Sequence, residues 1–148
     1  MLNLINGIKI TPLNKIIDHR GAVLHMMKNS SPVFTKFGEV YFSTIFKNSI
    51  KAWKKHLLMT QNLTVPYGCV KFVCYDERLH SETFGKINEF IINRENYCLL
   101  TIPPLVWYGF VGIGEGESLI ANCADLTHDP LESVRLDEND DKIPYSWS

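Results

Sequence analysis

The sequence is divided into short runs of β-branched and aromatic residues, and each run is closed by glycine, proline, asparagine or aspartate. Runs of this length and spacing are typical of an antiparallel β-sandwich or β-barrel. Helical turns are predicted only within residues 81–90 and 129–136. The predicted strands are residues 7–10, 22–27, 39–46, 51–59, 63–65, 69–75, 87–92, 97–102, 106–111 and 118–123. We therefore expect one all-β domain over residues 1–148 with little helix.

The composition argues against several classes of protein. At 148 residues, 45% of them hydrophobic, the chain is long enough to bury a core of its own. Its 15 basic and 16 acidic side chains give a formal net charge of −1, whereas proteins that bind nucleic acids or membrane surfaces usually carry a basic excess. The apolar runs are far shorter than a membrane span, and the N-terminus lacks a signal-peptide pattern. We expect a soluble protein without a nucleic-acid or membrane partner.

The four cysteines, Cys69, Cys74, Cys98 and Cys123, are scattered through apolar strand-like segments, and the sequence has no C-x-x-C pair. Cys69 and Cys74 are five positions apart and would face opposite sides of one strand. Buried free thiols fit this distribution better than a disulfide does, and free thiols are typical of a reducing compartment. We therefore expect a cytoplasmic protein.

A small β-barrel usually holds its ligand inside, among side chains that face inward. A metal site there needs several His, Cys or carboxylate ligands that meet at one point, commonly two of them two residues apart on a strand. None of the five histidines belongs to an H-x-H pair. The sequence therefore predicts no bound metal.

His56 differs from the other histidines because it lies within the predicted strand of residues 51–59. Alternation along that strand places Ala52, Lys54, His56 and Leu58 on one face. If this face looks into the barrel, its lysine and histidine are costly to bury unless they have a function. The alternative is a solvated strand edge with a hydrogen-bonded surface histidine. The residues alone leave both interpretations open.

Six short segments stand in a fixed order along nearly the whole chain. They are D-H-R-G at 18–21, W-K-K-H at 53–56, the strand at 68–78, S-E-T-F-G at 81–85, I-P-P-L-V-W-Y-G-F at 102–110, and N-C-A-D at 122–125 together with the closing stretches 134–137 and 143–147. In this order and spacing they resemble the dTDP-4-dehydrorhamnose 3,5-epimerase family of cupins.

The resemblance implies a cupin-type antiparallel jelly-roll barrel that acts without a cofactor on a nucleotide-linked 4-keto sugar. In such a reaction a base removes a proton next to the ketone, and an acid returns a proton to the opposite face. By position, His56 is the expected base, and Asp137 is the carboxylate that orients it and raises its pKa. Arg20 is expected to contact the pyrophosphate of the substrate. The family also implies a homodimer with a shared sheet.

Several positions depart from the family pattern. The family acid, a tyrosine, is replaced by Ala121, and the arginine that precedes the base is replaced by Trp53. The family lysine on the next strand falls at Gln61 or Asn62. In the H-G-F motif, Tyr108 takes the place of the histidine. The resemblance therefore keeps the base, while the acid and the main cationic contacts are changed.

Replacements for the lost groups are available in the sequence. Lys54 or Lys55 can restore a positive charge from the strand that carries the base, and Trp53, Gln61 and Asn62 are further candidates for substrate contacts. Tyr108 either replaces the acid or packs in the core.

These observations lead to an expected function with two alternatives. The expected function is epimerisation of a nucleotide-linked 4-keto sugar at C3, C5 or both, in the biosynthesis of surface polysaccharide sugars. One alternative is a sugar 3,4-ketoisomerase, whose cupin relatives share a similar I-I-D-x-R-G opening but usually carry an H-x-H pair. The other is a cupin that binds sugar nucleotides without catalysis, which the missing tyrosine and lysine favour.

Overall fold

The computed structural model describes residues 3–148, and this range contains twelve short strands and one 3₁₀ turn, Pro130–Glu132. Each of the ten predicted runs overlaps one observed strand. The strands are β1 Lys9–Pro12, β2 Lys15–Asp18, β3 Gly21–Leu24, β4 Glu39–Phe46, β5 Ile50–His56, β6 Gln61–Tyr67, β7 Val70–Tyr75, β8 Ile87–Ile92, β9 Cys98–Ile102, β10 Trp107–Gly112, β11 Glu117–Ala124 and β12 Ser133–Arg135.

The predictions missed two short strands and placed one helical turn wrongly. β2 and β12 are four and three residues long, and no predicted run covers them. The 3₁₀ turn falls within the predicted segment 129–136. The other predicted segment forms only a turn before β8 begins at Ile87.

The strands assemble into two five-stranded antiparallel sheets. Sheet I has the order β1-β9-β6-β11-β4, and sheet II has the order β12-β5-β10-β7-β8. The strongly apolar strand β7 lies inside sheet II, paired with β10 on one side and β8 on the other. Its Val70, Phe72 and Cys74 are fully buried against side chains of sheet I. The fold is therefore all-β, with its main core between two facing sheets.

A second, smaller core covers the outer face of sheet II. Trp53 of β5 and Trp107 of β10 lie on that face, and the C-terminal residues Ile143, Tyr145 and Trp147 pack against them. Both faces of sheet II are thus covered by apolar side chains. Because the Trp53 side chain of β5 packs in the outer core, the opposite face of β5 borders the space between the sheets.

The loop after β7 is held by Asp76, whose side chain is completely buried. Its carboxylate accepts hydrogen bonds from the guanidinium of Arg78 and from the hydroxyls of Ser81 and Thr83. Burial alone would raise the pKa of Asp76, but these hydrogen bonds outweigh it and hold the pKa far below its ordinary value. Asp76 therefore remains ionised and fixes the loop.

The hairpin of β2 and β3 forms a two-stranded sheet that is separate from the two main sheets. Ile16, Ile17 and Val23 on this hairpin are each more than half exposed. Arg20 lies in its turn and pairs with Asp18 at 2.7 Å. Within residues 3–148 we find no helix that is long and apolar enough to cross a membrane.

Candidate active site

His56 lies at the end of β5 and is almost completely buried, with 4% of its surface exposed. Trp53 and Lys55 occupy the outer face of β5, against the second core. Alternation therefore turns Lys54 and His56 toward the space between the sheets. Lys54 and His56 thus share the inward face that alternation along residues 51–59 predicts. Ala52, predicted on the same face, instead packs in the second core, and Leu58 lies beyond the strand and is exposed.

The carboxylate that contacts His56 belongs to Glu132. Its Oε1 lies 2.7 Å from Nδ1 of His56, while its Oε2 accepts the backbone amides of Leu58 at 3.0 Å and Met59 at 2.9 Å. Because an ionised carboxylate only accepts hydrogen bonds, Nδ1 carries the imidazole proton and Nε2 keeps its lone pair. Nε2 is buried, and no atom in residues 3–148 is its hydrogen-bond partner. The ring is therefore oriented and tautomerically defined with a free basic nitrogen.

Local sequence explains how Glu132 reaches this position. Asp129 caps the 3₁₀ turn by accepting the amide of Leu131, and Pro130 follows at the first position of the turn, where it is favoured. The chain then enters β12, which pairs with β5 so that Ser133 lies opposite His56. Glu132, which directly precedes Ser133, therefore lies beside His56.

Asp137 was the wrong choice for this partner. It is exposed, and its side chain accepts the amide of Asn139 in a local turn. The antiparallel register explains why, since the backbone of Leu136 pairs with that of Trp53. Asp137 consequently lies beyond Trp53, about 13 Å along the strand from His56 at roughly 3.3 Å per residue.

The pKa of His56 is below its ordinary value, contrary to the expectation that a carboxylate partner would raise it. Burial is the main cause, and the positive charge of Lys54 acts in the same direction. The hydrogen bond and the charge of Glu132 oppose the shift without cancelling it. For Glu132, burial by itself raises the pKa, but the hydrogen bonds from His56 and the two backbone amides outweigh it and lower the pKa. The pair is therefore a neutral imidazole and an ionised carboxylate.

A cleft of about 500 Å³ opens between sheet I and sheet II, and its lining includes Lys54 and Tyr108, the neighbours of His56, but neither His56 nor Glu132. Tyr41 and Ser43 of β4 line one wall, and Lys54 and Tyr108 line the other together with Arg135 of β12. Lys54 and Arg135 are direct neighbours across the pairing of β5 with β12. Burial and the adjacent Arg135 lower the pKa of Lys54, while Glu132 opposes the shift. The cleft thus has a cationic rim next to the base.

Tyr108 lies beside the base on the neighbouring strand. Its ring is stacked with that of His56, with centroids 6.2 Å apart and an interplanar angle of 14°. Burial raises the pKa of its hydroxyl strongly, and Gln61 opposes the shift. Tyr108 and His56 therefore belong to the same sheet, and Tyr108 lines the cleft on the side of the base.

Two of the other expected substrate contacts have their side chains on the outer face of sheet II, although Trp53 also borders the cleft. The Trp53 side chain is in the second core, where its indole donates to the backbone of Glu138. Lys55 pairs with Glu77 at 2.6 Å and lies over Trp107 on the outer face of sheet II. Trp53 and Lys55 alternate with Lys54 and His56 and therefore lie on the opposite face of β5.

The two remaining polar candidates, Gln61 and Asn62 of β6, lie on opposite faces of sheet I. Gln61 is buried near Tyr108 on the inner side. Asn62 is buried on the other side, where it accepts from Thr101 at 2.6 Å and donates to the backbone of Cys123. Asn62 therefore holds the strands of sheet I together, and its side chain is not among those that line the cleft.

Arg20 and Ala121 are also outside the cleft. Arg20 is exposed in the β2–β3 turn. Ala121 is buried opposite Phe42 of β4, which points outward, whereas its neighbours Ile120 and Asn122 point inward. The position that matches the family tyrosine thus carries no acid and faces the wrong side of sheet I.

Sequence reasoning missed Glu132, Arg135 and Tyr41. The capped turn D-P-L-E at 129–132 is a local signal that could have drawn attention to Glu132. Tyr41 lies in the predicted strand of residues 39–46, but only the sheet order reveals which face of that strand lines the cleft. In the described range, no three side chains of His, Cys, Asp or Glu are grouped so that they could hold a metal ion.

The chain is similar to several sugar isomerases and epimerases. A dTDP sugar isomerase from Desulfovibrio desulfuricans has a solved structure that matches with a TM-score of 0.95 and 44% identity, over 97% of this chain and 92% of that protein. The probable low-salt glycan biosynthesis epimerase Agl13 of Haloferax volcanii is 28% identical over 95% of this chain and 88% of its own length. The dTDP-4-dehydrorhamnose 3,5-epimerase of Elizabethkingia anophelis, at 18% identity, shares the fold with a TM-score of 0.82, over 99% of this chain and 84% of that protein. No family model matches the chain.

Proposed function

The chain belongs to the dTDP-4-dehydrorhamnose 3,5-epimerase-like family of cupin jelly-roll isomerases, and from this premise we propose that it epimerises a nucleotide-linked 4-keto sugar. The observation that carries the proposal is the buried pair of His56 and Glu132, with the Nε2 of His56 unprotonated and without a partner in residues 3–148. A buried polar atom that forgoes a hydrogen bond costs about 1–3 kcal/mol. Such a cost is reasonable where the nitrogen must accept a proton from substrate.

The chemistry begins with removal of a proton from a carbon next to the ketone. Nε2 of His56 takes the proton, and the electrons of the C–H bond move to the carbonyl oxygen to form an enolate. Glu132 stabilises the imidazolium through the Nδ1–H hydrogen bond. Lys54 and Arg135, which line the cleft, supply positive charge for the enolate or for the pyrophosphate of the nucleotide. Protonation of the opposite face then inverts the carbon.

We also propose that the active unit is a homodimer of cytoplasmic one-domain chains. The β2–β3 hairpin exposes Ile16, Ile17 and Val23 outside both main sheets, as expected for a surface that a second copy covers. Arg20 in the hairpin turn would then reach the pyrophosphate bound in the neighbouring copy. The four unpaired cysteines support a reducing compartment. Light scattering at micromolar concentration tests the proposed homodimer, and a monomeric protein with full activity would contradict it.

The test of the reaction is isotope exchange in D₂O. The protein is incubated with dTDP-4-keto-6-deoxyglucose, and with GDP- and CDP-linked 4-keto sugars, while mass and proton NMR spectra are recorded. Deuterium at C3, C5 or both, together with a new epimer, supports the proposal and shows which carbon is inverted. Migration of the carbonyl to C3 would instead identify a ketoisomerase. Binding without exchange on any of these sugars would indicate a non-catalytic protein.

Glycan biosynthesis is the proposed pathway because the Haloferax relative is a probable glycan biosynthesis epimerase. Glycan assembly consumes activated sugars, and an epimerised keto sugar becomes a glycan precursor after reduction of its ketone. Loss of the gene is expected to deplete one deoxy sugar from the surface glycans of the producing cell. Unchanged monosaccharide composition would contradict this assignment.

A further inference from the structure

Tyr41 of β4 is aligned directly with Asn122 of β11, and both side chains point toward the space between the sheets. The hydroxyl oxygen of Tyr41 lies 2.8 Å from Nδ2 of Asn122. Nδ2 also lies 3.2 Å from Oε1 of Gln61. One amide group of β11 therefore connects two polar side chains on the strands that flank it.

The orientation of the Asn122 amide is fixed by the backbone. Its Oδ1 accepts the amide of Asn62 at 3.2 Å, so its nitrogen must face Tyr41 and Gln61. An amide nitrogen has two hydrogens and accepts none, and here each hydrogen has one acceptor. The Tyr41 oxygen is consequently the acceptor in its bond with Asn122, and its own proton is left to be donated elsewhere.

The Tyr41 hydroxyl can donate this proton into the cleft, which its side chain lines. Tyr41 lines the cleft from sheet I, whereas His56 and the stacked Tyr108 belong to sheet II. Inversion at carbon requires that a proton be taken from one face of the sugar and returned to the other. A donor in sheet I lies across the cleft from the base, and Tyr108 does not because it shares the wall of His56.

Resting on the proposed epimerisation, we propose that Tyr41 is the general acid that protonates the enolate on the face opposite His56, and that Asn122 is the residue that positions it. The O–H bond of Tyr41 breaks as the new C–H bond forms, and the enolate electrons return to form the carbon–proton bond and the ketone. The tyrosinate accepts the N–H of Asn122 and is reprotonated by water. His56 returns its proton to water, so the enzyme is restored.

The ionisation of Tyr41 agrees with this role. Burial raises the pKa of its hydroxyl above the ordinary value, and the hydrogen bond from Asn122 limits the rise. Glu39 and Glu132 add to the rise through their negative charges. Tyr41 is therefore protonated at neutral pH, as an acid must be before it donates.

The experiment measures exchange and inversion separately. With dTDP-4-keto-6-deoxyglucose in D₂O, wild-type protein is expected to give both deuterated starting sugar and epimer. Tyr41→Phe keeps the base, so it should still put deuterium into the starting sugar with retained configuration, while epimer formation falls about 10²-fold or more. Tyr67→Phe, which alters an exposed tyrosine of β6, is the matched control and should match wild type in both rates.

Three outcomes would overturn the assignment of Tyr41. The first is epimer formation at the wild-type rate by Tyr41→Phe. The second is loss of both exchange and inversion in Tyr41→Phe while that variant stays folded and binds dTDP. The third is loss of inversion alone in Tyr108→Phe. Because Tyr108 packs on the base, Tyr108→Phe should instead lower both rates in parallel. Absence of exchange in the wild-type protein is a different failure, since it would refute the proposed function itself.

Asn122→Asp tests the positioning residue. The carboxylate can still accept the amide of Asn62 but can no longer donate to Tyr41. The Tyr41 hydroxyl therefore donates its hydrogen bond to the carboxylate, and the negative charge of the carboxylate disfavours the tyrosinate. We expect the ratio of inversion to exchange to fall about tenfold and the alkaline limb of the kcat–pH profile to move to higher pH. An unchanged ratio and an unchanged alkaline limb in a folded Asn122→Asp protein would remove Asn122 from the mechanism.

Discussion

Replacement of Glu132 by Gln is the most informative change at the base, because the two groups have the same shape and differ in hydrogen bonding. The carboxylate accepts three bonds, one from His56 on Oε1 and two from backbone amides on Oε2. A glutamine has one acceptor oxygen and a nitrogen that only donates. Its oxygen will face the two amides, since the reverse orientation would place its NH₂ against the buried amide of Met59.

In that orientation the NH₂ of the new glutamine donates to Nδ1 of His56. The imidazole must then carry its proton on Nε2, and the nitrogen that should receive the substrate proton is blocked. We expect Glu132→Gln to reduce the exchange rate by about 10³–10⁴-fold, as for a histidine held in the wrong tautomer. Three charge-assisted hydrogen bonds become neutral ones, and each loses about 1 kcal/mol of its contribution. The free energy of unfolding should therefore fall by roughly 2–3 kcal/mol. For a chain of this length that corresponds to a Tm lower by about 5–10 °C.

Three measurements check this reasoning: the exchange rate in D₂O, the Tm, and the tautomer of His56 from its ¹⁵N chemical shifts. Asp137→Asn is the matched control, since that carboxylate is exposed and its side chain bonds only locally, and it should keep wild-type values in all three. The assignment of the pair would be refuted by normal exchange in Glu132→Gln, or by loss of exchange in Asp137→Asn.

Three further predictions concern charge. Because burial lowers the pKa of His56 and the base acts when neutral, the acid limb of the kcat/KM–pH profile should have its midpoint below the ordinary value of about 6.5; a midpoint above 7 would contradict this. Lys54→Met should lower kcat/KM by about 10²-fold through loss of enolate stabilisation. Lys55→Met, on the opposite face of β5, should leave kcat/KM unchanged. Equal changes of kcat/KM in the two variants would show that the cleft is not the active site. Asp76→Ala should destabilise the protein by about 3 kcal/mol in urea unfolding, because it leaves three partly buried donors of the loop, Arg78, Ser81 and Thr83, without their common partner. Since the pKa of Asp76 is lowered in the folded state, its contribution is present above the unfolded pKa of about 4 and should be lost as the pH falls below that value.

Most of the fold could be predicted from the sequence because strand alternation and turn residues are local signals. All ten predicted runs overlap strands, and the inward face of β5 follows from the alternation of Lys54 and His56 with Trp53 and Lys55. The prediction failed where the answer depends on pairing between distant strands. Tyr41 precedes Asn122 by 81 positions, and only the antiparallel register of β4 with β11 brings them together.

The carboxylate partner shows the same limit at closer range. Asp137 and Glu132 both follow the last long strand, and either can reach His56 on composition alone. The outcome is decided by the capped turn at Pro130 and by the register that sets Ser133 opposite His56. A shift of register along β12 would have placed a different side chain beside the base. Family resemblance supplied the base, but it could not supply this register.

The charges around the cleft support one direction of proton flow. Before the reaction, the site holds the anionic Glu132, the neutral His56 and the cations Lys54 and Arg135. Removal of the substrate proton creates one positive and one negative charge at once. The imidazolium forms against Glu132, and the enolate forms in the cleft that Lys54 and Arg135 line, so each new charge meets an opposite charge that is already in place. Tyr41 enters from the other sheet as a neutral donor, and it therefore adds no charge that would compete with the enolate for these cations.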